Sequence, residues 1–226
     1  MFEQLKKNNV DSSGQLSGNP RVKFYNPNGK GVRVMFVGNS ITLHGVKEDI
    51  GWFNDCGMAA SSPEKDYVHI LMNKISEKQK DASFCICQVA DWERGYKNGA
   101  ETYSLFKEAR AFGADILIAR FIENCPSNDF DGELFKTEYK RLLGYLDAYA
   151  KARIVITDGF WHHPADKFIA EIAEEINASF VTLGDLGEKE EMKAIGLFAH
   201  GGVANHPGDK GMEKIAERIW EKIERI

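Results

Sequence analysis

Gly31-Val-Arg-Val-Met-Phe-Val-Gly-Asn-Ser-Ile-Thr42 is the stretch that decides how this chain folds. Val32, Val34, Phe36 and Val37 form a β-branched and aromatic run, which suits a buried strand of a parallel sheet. Gly38-Asn39-Ser40 breaks the run, so Ser40 falls at the C-terminal end of the strand. That edge of an open α/β sheet is where ligands bind. A hydroxyl there, with the N–H groups of the next turn close by, is a seat for a nucleophile.

Outward from this strand the same pattern recurs. Phe84–Val89, Asp115–Arg120, Arg153–Thr157 and Ser179–Leu183 read as four more buried strands, and Arg21–Tyr25 alternates as an edge strand. Amphipathic helices are expected over about 62–79, 99–112, 133–150, 165–177 and 209–226, with Ser62 and Asp209 as N-caps and Gly113 as a C-cap. Strands alternating with helices imply βαβ crossovers and a parallel sheet covered on both faces. The passage from His44 to Ser62 is long for a connection, which marks a functional loop or lid. Residues 1–20 carry little periodicity and are expected to form a flexible arm ahead of one domain over 21–226.

Composition narrows the function classes. A net charge of -5 with no basic stripe argues against a nucleic-acid partner, and no apolar run is long enough to span a bilayer. Met1–Asn19 has no apolar leader, and Cys56, Cys85, Cys87 and Cys125 lack the spacing of a zinc site and read as buried thiols. The expected compartment is the cytoplasm, unless a leader was removed ahead of Met1.

Polar residues gather where strands end. Ser40, Asp91 to Glu93, Glu123-Asn124 and His162-His163 each follow a strand, and His206 precedes the last helix. Ser40 and His206 supply a nucleophile and a base, while Asn124 and the Ser40 backbone N–H supply oxyanion donors. Gly38-Asn39-Ser40-Ile41-Thr42, Glu123-Asn124 and His206-Pro207 resemble, in order and in attachment to successive strands, blocks of the SGNH (GDSL-type) hydrolase superfamily of esterases and acetylesterases. The resemblance implies a three-layer α/β/α flavodoxin-like sandwich with a five-stranded parallel sheet. It also implies Ser40 as nucleophile, His206 as base and Asn124 in the oxyanion hole.

Three positions depart from the family pattern. Ile122 replaces a glycine of the third block, and Trp92 stands nearest the second-block glycine whose N–H is an oxyanion donor. A backbone donor survives that exchange. Val203 replaces the Asp that steadies the histidine. Backbone carbonyls near Val203, or Glu93 or Glu123 from neighbouring strand ends, are the acceptors left to orient His206.

Other residues invite and resist chemistry. His162, His163 and His200 lack metal-ligand spacing, so no metal is expected. Trp52 and Trp161 are read as packing around the cleft mouth, where they could stack on a sugar ring, and Gly201-Gly202 as flexible loop. The expectation is a serine esterase that works through an acyl-enzyme on a small-molecule or carbohydrate ester, removing O-acetyl groups without a cofactor. The rivals are a lipid or thioester acyl hydrolase of the same superfamily, and, because of Val203, a catalytically silent carbohydrate-binding protein.

Overall fold

Residues of alternating parity along the first central strand face opposite layers, and that alternation organises the computed structural model, which describes residues 21–225. The arm expected over residues 1–20 lies outside the described residues. The strands are β1 (Val22–Tyr25), β2 (Arg33–Gly38), β3 (Ser83–Gln88), β4 (Ile116–Arg120), β5 (Arg153–Thr157) and β6 (Ser179–Val181). The helices are α1 (Tyr67–Lys78), α2 (Ala90–Arg94), α3 (Lys107–Phe112), α4 (Gly132–Leu146), α5 (Asp166–Glu175), α6 (Gly184–Gly187), α7 (Gly201–Ala204) and α8 (Asp209–Ile223).

Val34 and Phe36 of β2 pack in one core with Leu71 and Ile75 of α1 and Ile215 and Ile219 of α8. Met35 and Val37 pack in a second core with Phe112 of α3, Leu142 of α4 and Ile169 of α5. Helices therefore cover both faces of the sheet, and the three-layer α/β/α sandwich follows. The strand order is β1-β3-β2-β4-β5-β6. Five strands run parallel in the flavodoxin-like order, and β1 adds a sixth, antiparallel to β3 with Val22 opposite Cys87. The five parallel strands match the expectation, and the sixth is the edge strand expected over Arg21–Tyr25. All four cysteines are buried and unpaired, with Cys85 and Cys87 in the same core.

Three expected boundaries move, each for a local reason. Pro63–Lys65 forms a separate 3₁₀ turn, and Asp66, not Ser62, caps α1 by accepting from the His69 N–H at 2.7 Å. The helix expected over 99–112 is a 3₁₀ segment, Tyr96–Phe106, followed by α3; Gly99 lies so close to the Trp92 indole that a Cβ would sit 2.2 Å from Nε1. Gly208 occupies the N-cap of α8, because the Asp209 carboxylate accepts instead from the Ser61 N–H (2.7 Å) and hydroxyl (2.5 Å). That pair of bonds ties the long 44–62 connection to the start of α8.

Asp66 does more than cap. It is fully buried and accepts from the Gly57 N–H at 2.9 Å as well as from His69 Nδ1, so it joins α1 to the loop that follows Ser40. Asp66→Ala leaves buried N–H groups without acceptors. It is expected to lower the unfolding free energy by about 2–4 kcal/mol, read as a urea midpoint shift at constant m.

Candidate active site

The strand order itself creates the site. Because β2 lies between β3 and β4, the two chain crossovers leave it in opposite directions and open a crevice beyond its C-terminal end. Register places Gly38 beside Gln88 and Arg120, so the segments after all three strands converge there. The turn after β2 is tight, with the Asn39 carbonyl accepting from the N–H groups of both Thr42 and Leu43 at 2.9 Å. A Cβ on Gly38 would meet Thr42 Oγ1 at 1.7 Å, so this approach admits glycine alone. Thr42 is held in turn by the buried Tyr67 hydroxyl at 2.7 Å, and Ile41 fills the core.

Ser40 projects from that turn. Its Oγ lies 2.9 Å from His206 Nε2, although 166 positions separate the two along the chain. On the far side of the ring, Nδ1 lies 2.7 Å from the Gly202 carbonyl oxygen. A carbonyl can only accept, so Nδ1 carries the proton and Nε2 offers its lone pair to the serine hydroxyl. Burial lowers the His206 pKa to about 4, so the imidazole is neutral at ordinary pH. The half-buried Trp161 stands edge-on to it at 5.3 Å between centroids.

The Gly202 carbonyl is presented by α7. Gly201-Gly202, expected as flexible loop, opens this short helix, which His200 caps by accepting from the Val203 N–H. Val203, where the resemblance led to the expectation of an acid, lies in the apolar core. Neither Glu93 nor Glu123 bonds His206. The two glutamates belong to a buried network beneath the serine, which overturns the reading of either as the His-orienting acid.

That network centres on Arg120, which is fully buried. Its guanidinium donates to both Glu123 oxygens, at 2.7 and 2.9 Å, and to Asn39 Oδ1 at 2.6 Å. Asn39 Nδ2 donates to Glu123 Oε2 (2.6 Å) and to Glu93 Oε1 (3.0 Å). Glu93 also accepts from Asn124, through Nδ2 at 2.7 Å and the N–H at 3.3 Å. Glu123 accepts further from the Phe160 N–H at 2.9 Å. The ends of β2, β3, β4 and β5 are thereby bonded together around one cation and two carboxyls.

The two carboxyls separate electrically. Burial alone would raise Glu123, but the Arg120 guanidinium reverses this and holds it below its ordinary pKa. Glu93 has no cation bonded to it in the network; burial, and then the charge of Glu123, push it up to about 7.

The remaining sequence candidates fall in different places. Asn124 enters the network and lies two hydrogen bonds from Asn39, the neighbour of Ser40. Trp92 is buried among Tyr96, Phe121, Phe135 and Tyr139, and its N–H lies in the first turn of α2, where amides lack intrahelical acceptors. Trp52 is fully buried, its indole donating to the His44 carbonyl at 3.0 Å, so it offers no stacking surface. His162 pairs with Glu188, His163 Nε2 with the Cys125 carbonyl, and His200 with α7, so the three imidazoles do not converge. Among the described residues no group of three His, Cys, Asp or Glu is placed to hold a metal ion. No helix among them is long and apolar enough to cross a membrane.

Sequence reasoning missed Arg120. Its signal was a basic residue closing an otherwise apolar strand, Ile116-Leu-Ile-Ala-Arg120. Arg120→Met leaves Glu123 and Glu93 facing each other without a cation and is expected to cost about 3–5 kcal/mol at pH 8. Without the guanidinium both carboxyls have raised pKa values. Stability of the variant therefore improves relative to the parent as pH falls toward 5 and both take protons, which denaturant titrations at the two pH values would read.

No protein-family model and no curated sequence matches the chain. Several solved structures share its fold. A two-domain esterase (CEX) active on acetylated mannans superposes with TM-score 0.57 at 18% identity, over 88% of this chain and 50% of that one. This chain thus spans about half the length of that esterase. A putative GDSL-like lipase from Parabacteroides merdae superposes with TM-score 0.56 at 16% identity, over 85% of this chain and 95% of the other. A carbohydrate esterase family 3 protein from Talaromyces cellulolyticus gives 0.51 at 14% identity, over 86% and 97%. The fold is the one that GDSL-like lipases and carbohydrate esterases share, the SGNH-hydrolase sandwich.

Proposed function

We propose that this protein is a serine esterase of the SGNH hydrolase superfamily that removes O-acetyl groups from carbohydrate through an acyl-enzyme. The observation that carries the proposal is the contact between Ser40 Oγ and His206 Nε2, with Nδ1 anchored on the Gly202 carbonyl. In the first half-reaction the Ser40 oxygen bonds to the acyl carbon as its proton passes to Nε2. The tetrahedral oxyanion then collapses, and the sugar oxygen leaves with the proton from Nε2. In the second half, water gives a proton to Nε2 and attacks the acyl carbon, and Ser40 leaves with that proton, releasing acetate. Asn124 and the N–H groups of Ser40 and Trp92 are the donors proposed to face the oxyanion.

The absent acid is less damaging than Val203 suggests. In serine proteases, replacing the triad Asp lowers turnover on the order of 10⁴, largely through the wrong imidazole tautomer. Here the Gly202 carbonyl enforces the working tautomer. What a neutral carbonyl lacks is the full negative charge that would stabilise the imidazolium formed during transfer.

Carbohydrate as the substrate class is supported by the solved relatives described as active on acetylated mannans and as a family 3 carbohydrate esterase. It is also supported by Trp161, the aromatic ring beside the base. A fluorophosphonate probe is expected to label Ser40, and the unlabelled protein is expected to release 4-nitrophenol from 4-nitrophenyl acetate at a Ser40-dependent rate. Ser40→Ala should abolish both signals, and His206→Ala should lower hydrolysis at least 10³-fold. An acyl series on the same chromophore should favour acetyl; a maximum at long chains would point to lipid instead. A native protein that neither takes the label nor hydrolyses the ester sinks the proposal.

A further inference from the structure

We infer that Glu93 is a positioning residue: it holds the Asn124 side-chain amide with its N–H toward the developing oxyanion, and it can do so only as a carboxylate. The inference rests on the esterase reading and assigns to that site a part none of the motif blocks contains.

The geometry leaves Glu93 little freedom. The side chain is fully buried, and three donors converge on it: Asn39 Nδ2, the Asn124 N–H and Asn124 Nδ2. A carboxylate accepts all three. A protonated carboxyl must donate one bond, and so needs one of those partners to become an acceptor.

Two of the three cannot. The Asn124 N–H is backbone. The Asn39 amide is pinned by its own oxygen, which accepts from Arg120 at 2.6 Å and from the Ile41 N–H at 3.3 Å, so its nitrogen must face the carboxyls. Only the Asn124 amide can adapt, by turning over to present Oδ1 to the new proton. That turn carries Nδ2 to the other side and exchanges a donor for an acceptor at the oxyanion. Protonation of one buried side chain therefore reads out as loss of one catalytic hydrogen bond.

The surroundings set where this happens. Arg120 and Glu123 at the end of β4 lie across Asn39, Cys125 follows Asn124, and Tyr139 approaches from α4. Arg120 spends both of its terminal nitrogens on Glu123 and Asn39. Burial and the charge of Glu123 accordingly raise Glu93 to about 7, so it takes its proton as pH falls through neutrality. The His206 imidazole, lowered to about 4, does not change charge in that window. A limb near pH 7 thus belongs to Glu93, and hydrolysis rises with pH across it.

The test is the pH dependence of kcat for acetyl-ester hydrolysis by the intact chain, in the parent, Glu93→Gln, Asn124→Ala and the double variant. Gln keeps the size but, like the protonated acid, offers one acceptor and one donor group. Glu93→Gln should lower kcat about 10²–10³-fold at pH 8 with KM within twofold, and its profile should lack the limb near 7. Asn124→Ala should lack that limb too, and the double variant should be no slower than Asn124→Ala alone. A parent profile that is flat from pH 6 to 8, or single-variant losses that multiply, overturns the inference. Should Glu93→Gln fail to fold, the parent and Asn124→Ala profiles decide the matter by the same criterion. Hydrolysis that survives Ser40→Ala refutes the esterase reading and this inference with it, whereas Ser40-dependent hydrolysis with an unchanged limb in Asn124→Ala refutes this inference alone.

Discussion

A guanidinium with no access to water must be neutralised and hydrogen-bonded where it lies, and the Arg120–Glu123 pair answers that demand at the centre of this site. Replacing such a pair by apolar residues is often neutral for stability, so its value here lies in geometry. The fork of Arg120 meets the fork of Glu123, which fixes both planes, and Asn39 is the third partner. Asn39 immediately precedes Ser40, so the orientation of the ion pair passes directly into the turn that carries the serine. Through Glu123 the same pair reaches the Phe160 N–H beyond β5, one residue before Trp161. The serine turn and the ring beside His206 are both hung from one electrostatic staple, while His206 itself is held by the Gly202 carbonyl.

Above that staple the Ser40–His206 contact is electrically modest. An imidazole whose second nitrogen rests on a carboxylate gains basicity; one that rests on a carbonyl gains orientation with little added charge. The depressed pKa of His206 agrees with this, since enclosure disfavours the cation and only a dipole opposes it. The contact thus has the directional part of a serine–histidine–acid arrangement without its negative charge.

Much of the fold could be read from residue types because parallel strands must be apolar on both faces, and Val34–Val37, Ile116–Ala119 and Ile154–Ile156 show that plainly. Helix starts were harder. Asp66 and Asp209 are both acidic residues at helix entrances, yet one caps and the other bonds Ser61, a choice set by a segment distant in sequence. Ser40 and His206 were visible as motif residues whose meeting depends on topology, and the strand order brings them together. The glutamates were visible as polar residues at strand ends, but spacing cannot say which buried partner a carboxylate will find. The partner proved to be Arg120 for one and two asparagines for the other. The Gly202 oxygen had no signature beyond its neighbourhood, because every residue carries a carbonyl.

An acceptor supplied by a side chain can be erased by one nucleotide change. An acceptor supplied by the main chain has no codon of its own. It can be lost only by reshaping the short helical segment from His200 to His206, so mutational fragility at this locus is spread over the local curvature of the polypeptide. An apolar Val203 is compatible with this contact, because the proton on Nδ1 rests on an acceptor that the side chain at 203 does not supply.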